Sequence, residues 1–117
     1  MNRLDRKHLR WLVESCDWYL NRQARLRTTI DDIEALISEL DSADNKALVR
    51  RIQMNWAVLE ELYAVDLDQP HRRVLLVHRD QLDEAARTMK ALALQALNAA
   101  GYALEPGEDE DEDNDST

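Results

Sequence analysis

The chain has 117 residues and a formal net charge of −9, with 44% apolar residues, no Phe, two Gly, two Pro and one Cys. That composition supplies one modest aliphatic core and very little turn material, which favours few, long elements, and helix is the element that can be long. No apolar run approaches a membrane span, no basic-then-apolar start resembles a secretory leader, and Cys16 has no disulfide partner, so a cytoplasmic protein is expected.

From Leu9 an apolar stripe runs in 3-4 steps through Leu12, Cys16, Tyr19, Gln23, Leu26, Ile30, Ile33, Ile37 and Leu40. Nine of these ten positions can be buried and no Gly or Pro interrupts them, so the spacing predicts one continuous helix over about 3–41. A break near Thr28-Thr29 is the alternative, with Thr29 as N-cap and Asp32 three residues on, and it would give four helices. The segment 41–46 supplies a turn with Asp41, Ser42 and Asp44 as N-cap candidates. A second stripe follows at Val49, Ile52, Trp56, Leu59 and Tyr63, flanked by Leu48 and Leu62, and predicts a helix over about 44–65. The run 66–71 then breaks the chain, Asp68 offering a cap and Pro70 a first-turn residue. Leu75, His78, Leu82, Ala85, Met89, Leu92, Ala96 and Ala99 mark a third helix over about 70–100, closed by Gly101 with Tyr102 and Leu104 folding back.

The expected fold is therefore all-α: an antiparallel bundle of three long helices forming one domain over 1–104, followed by a tail. Residues 105–117 hold eight of the 24 acids and no base, which leaves sixteen acids against fifteen bases before them. The domain is nearly neutral, and the tail's self-repulsion predicts disorder. Twelve arginines against three lysines suit a GC-rich coding genome, bacterial or phage.

At 1.5 Å per residue the first helix, about 58 Å long, outreaches the other two, about 33 and 46 Å. Its start would then have no neighbour in its own chain. Leu4, Trp11 and Trp18 fall seven apart and form a second ridge about 130° from the main seam, while Val13 and Leu20 widen the seam itself. Such a surface predicts pairing with another protein, a symmetric homodimer being the simplest closed solution. The expected contact surface is Leu4, Trp11, Val13, Trp18 and Leu20, rimmed by Arg3, Lys7, Arg10 and Arg22, since aromatic and Arg anchors carry interface energy. The opposite outcome is that both indoles belong to the core of a compact four-helix bundle.

Residues 1–27 carry seven bases against three acids, with Arg3, Arg6, Lys7 and Arg10 on helical spacing. A basic helical face can follow phosphates, and an acidic tail can compete for it. A nucleic-acid accessory protein with an autoregulatory or DNA-mimicking tail is thus the second reading. His8, His71 and His78 lack metal-ligand spacing, both glycines follow residue 100, and Cys16 lies in the seam, so neither a metal, nor a cofactor, nor catalysis is expected. The first expectation is a small non-enzymatic interaction module, such as an inhibitor, an antitoxin-like protein or an assembly factor.

Overall fold

In a computed structural model that describes residues 3–40, 45–68 and 77–99, four helices stand out among the described residues. They are α1 (Arg3–Leu20), α2 (Leu26–Glu39), α3 (Lys46–Asp68) and α4 (Arg79–Ala99), and no strand occurs among the described residues. The bundle is all-α and antiparallel, as the three stripes imply. The continuous helix over 3–41 is not formed, and the break lies at residues 21–25 rather than at Thr28-Thr29.

Backbone chemistry explains the position of the break. Arg22 takes a left-handed conformation, φ 61°. Its N–H donates to the Tyr19 carbonyl at 3.0 Å, and the Gln23 N–H reaches back to the Trp18 carbonyl at 2.7 Å. This pair of reversed bonds is a Schellman stop, with Arg22 in the seat that glycine usually takes. Gln23 was the one polar residue in the otherwise apolar stripe, and it sits exposed in this turn. Thr29 does not cap α2. It lies buried one turn inside the helix, its hydroxyl donating to the Arg25 carbonyl at 3.0 Å. The shared phase of the two halves arises because α1 and α2 face the same core, and it does not require one rod.

The later boundaries also move. α3 begins at Lys46, with the Asn45 carbonyl accepting the Val49 N–H at 2.8 Å, and continues through Asp68, past the expected break at 66. The cap candidates Asp41, Ser42 and Asp44, the Pro70 start, His71, the Gly101 closure and the acidic tail lie outside the described residues.

Among the described residues the backbone of α1 neighbours α2 and α4, and that of α3 neighbours the same two, so the helices form a ring around one core that diagonal helices reach only with side chains. The predicted stripes fill it. Leu9, Leu12 and Cys16 meet Ile30, Ile33 and Ile37 from α2 and Leu40 just past its end, Val49, Ile52 and Leu59 from α3, and Leu82, Met89 and Leu92 from α4. Tyr63 and Trp56 are half-buried at its edge, and the Trp56 indole N–H donates to the Ile30 carbonyl at 3.0 Å, tying α3 to α2. At the end where α1 starts, the buried Asp5 carboxylate accepts the Asn45 side-chain amide at 2.8 Å. This anchors the first turn of α1 to the residue that opens α3.

The break also removes the overhang. At 18, 14, 23 and 21 residues, the helices measure about 27, 21, 35 and 32 Å, and the start of α1 is flanked by its own chain. No helix among the described residues is long and apolar enough to cross a membrane.

Candidate functional site

Once α1 has directed Leu9, Leu12, Cys16 and Tyr19 inward, helical geometry decides what remains outside. Leu4, Trp11 and Trp18, each two turns from the next, share a face away from the core. They stay 56%, 45% and 52% exposed. The indoles are therefore not sealed within the subunit, although the overhang that was to strand them is gone. A row of three half-open large apolar side chains on one helix is an unusual surface for a protein that has already filled its core.

The rim is partly ordered by the same residues. The Lys7 ammonium lies 5.8 Å from the Trp11 ring centroid, and the buried His8 ring meets Trp11 edge-on, centroids 5.4 Å apart. These contacts hold the Trp11 indole against the helix surface, which lowers the entropy a partner would have to freeze. No hydrogen bond reaches the buried His8 Nδ1. Arg3 is exposed, and Lys7 and Arg10 are half-buried. Val13 and Leu20 turn toward the core and pack against it, so they support the ridge from below more than they present a surface.

Arg22 is engaged elsewhere. Its guanidinium makes two hydrogen bonds to the Asp83 carboxylate, at 2.9 and 2.7 Å, and stacks over Tyr19 at 5.6 Å. The hydrogen bond from Arg22 holds the Asp83 carboxyl below its ordinary pKa, and burial is the chief cause pushing the Tyr19 phenol above its own. A second cross-pair, Lys90 to Asp17 at 2.7 Å, follows about two turns further along α4 in the α1–α4 seam. Neither pair was predicted, because residues 61 and 73 positions apart carry no local signal of their pairing. Arg27 similarly turns to Asp31 at 3.2 Å and to the Tyr63 ring at 5.7 Å.

Cys16 is fully buried, and burial, reinforced by Asp17, pushes its thiol up to about 12. At neutral pH it stays protonated and weakly nucleophilic. His78 is half-buried at the entry to α4. Among the described residues no group of three or more His, Cys, Asp or Glu side chains is placed to hold a metal ion. An open groove of about 550 Å³ runs between α3 and α4, with Val58, Leu62 and Ala85 along it beside Glu61, Asp80 and Glu84. Glu61 and Glu84 line it from different helices, and such carboxylates are the ordinary solvated edge of a helix pair.

No protein-family model, curated protein or solved structure matches the chain.

Proposed function

We propose that the protein is a non-enzymatic interaction module that binds another protein through the Leu4–Trp11–Trp18 ridge of α1, with a second copy of itself among its partners. It would act as an inhibitor or assembly factor, by occupying a surface and not by transforming a substrate. The observation that carries this reading is the exposure of three large apolar side chains in a row on a helix whose core face is already satisfied. Arg3, Lys7 and Arg10 supply a cationic border, which favours a partner surface with an acidic edge. A buried, protonated Cys16 supports the absence of a nucleophile at the centre of the bundle.

The ridge is also symmetric about its middle. Leu4 and Trp18 lie seven residues to either side of Trp11, so an antiparallel copy would set Trp11 on Trp11 and Leu4 on Trp18. Large side chains of this kind offer about 150–250 Å² each, so half-exposed they contribute roughly 300 Å² per protomer. A stable interface buries about 800 Å² per partner. Self-pairing through the ridge is therefore weak and reversible unless α2 adds to it. Sedimentation velocity from low micromolar to near-millimolar concentration tests it: a mass that climbs toward the dimer is expected. A monomer throughout the range overturns self-pairing.

A further inference from the structure

Leu4, Trp11 and Trp18 define a surface but not an orientation. A parallel copy would set each of them on its own counterpart, and an antiparallel copy would set Leu4 on Trp18, so apolar contact serves both. The charges beside the ridge do not. At about 100° per residue, Lys7 lies about 40° and Glu14 about 60° from Trp11 around α1, both on the edge turned away from Ser15 and His8. The Lys7 ammonium already sits at the middle of the ridge, 5.8 Å from the Trp11 ring centroid. Glu14 is exposed, and among the described residues no side chain pairs with it. Within one chain the two charges lie about 10 Å apart along the helix, beyond the reach of the usual helical pairs.

We propose that the ridge pairs with an antiparallel second copy of the chain, held in register by two reciprocal ion pairs in which Lys7 of each protomer meets Glu14 of the partner subunit. This register rests on the ridge being a self-association surface. Turning one copy end over end, about an axis that crosses α1 at Trp11, reverses the helix and keeps each edge on its own side. Lys7, about 6 Å before Trp11, then comes level to within about 1.5 Å with Glu14 of the partner subunit, about 4.5 Å after it. Two-fold symmetry makes the same contact a second time. In a parallel copy this edge meets the opposite one, where α1 offers only Ser15 and His8, both buried. With roughly 300 Å² of apolar surface per protomer, the pairs set orientation and register more than they add affinity.

The test is sedimentation velocity of the full chain at low salt, comparing wild type with Lys7→Glu, Glu14→Lys and the chain that carries both. Each single reversal turns two attractions into two repulsions and is expected to raise the dimer Kd about tenfold. The double reversal restores both pairs with exchanged signs and should return Kd to near the wild-type value, which a damaged fold would not do. The differences should shrink at 1 M salt, where the Debye length is about 3 Å. Single reversals that leave Kd unchanged overturn the proposal: in parallel copies position 7 faces 7 and 14 faces 14, so a reversal only exchanges one like-charged pair for another. Weakening by the single reversals without rescue by the double also overturns it, as does a wild type that stays monomeric to near-millimolar concentration. Trp11→Ser separates this register from the ridge itself. Loss of the dimer in Trp11→Ser, beside charge reversals without effect, leaves the ridge standing and removes the register. A dimer unchanged by Trp11→Ser places self-pairing on another face and overturns both.

Discussion

Replacing Arg22 by Gln tests the turn that divides α1 from α2, because both residues pay the same left-handed backbone cost and only the ion pair differs. The Arg22 side chain is 46% exposed and the Asp83 side chain 13%, so the pair is neither fully solvated nor fully buried. Exposed pairs contribute about 0.2–1 kcal/mol, with bidentate geometry at the upper end. The carboxylate left behind is partly desolvated, which adds to the loss. About 1 kcal/mol is therefore expected at pH 7, or roughly 4 °C in Tm. The sign with pH follows from the direction of the Asp83 shift. Its folded pKa lies below its unfolded one, so the pair's contribution is complete above about pH 4 and is lost as pH falls through the lower folded value. Thermal melts of wild type and Arg22→Gln should differ at pH 7 and converge in acid. Arg22→Gly also loses the pair but relieves a left-handed cost of about 1 kcal/mol, and should melt close to wild type. A gap of the same size at pH 7 and pH 2, or equal losses for Gln and Gly, would refute this account of the turn.

Three further outcomes follow from the packing. Leu12→Ala empties a fully buried seam position and should cost about 2–5 kcal/mol in a denaturant titration. Leu4→Ala, on the open ridge, should stay within about 1 kcal/mol, and equal losses would contradict the assigned face of α1. Trp56→Phe keeps the ring and removes the donor to Ile30, for a loss of about 1 kcal/mol; an unchanged midpoint would mean that this bond adds nothing to stability. Cys16, with its thiol pushed up to about 12, should react with a thiol reagent at neutral pH only as fast as the chain opens, and rapid modification of the native protein would contradict its burial.

The fold was legible wherever an argument needed only the near neighbours of a residue. The stripes at Leu9–Tyr19, Ile30–Leu40, Val49–Leu59 and Leu82–Leu92 all supplied the core, because burial on one face imposes a 3-4 period whatever the topology. The break was not legible for the same reason. Two helices that share a core can keep a common phase, so Ile30 following Tyr19 in step carried no information about continuity. The one local sign was Gln23, a polar residue in an apolar seam, while the residue that turns the chain is an arginine where glycine would have announced it. Leu4, Trp11 and Trp18 were correctly separated from the seam. The reason given for their exposure, an overhanging rod, does not hold: they are open because the ring is complete without them. The rim was less legible, since Arg22 is taken up by an acid 61 positions away.

Photo-crosslinking from position 18 in the cells that encode the protein tests the central claim most directly, with a photoreactive residue in place of Trp18 and a control at the more exposed Met54 of α3. The account predicts discrete crosslinked protein species from position 18, weakened by Trp11→Ser, and none from position 54. No product from position 18, or the same products from both positions, would contradict the ridge as the surface through which this protein works.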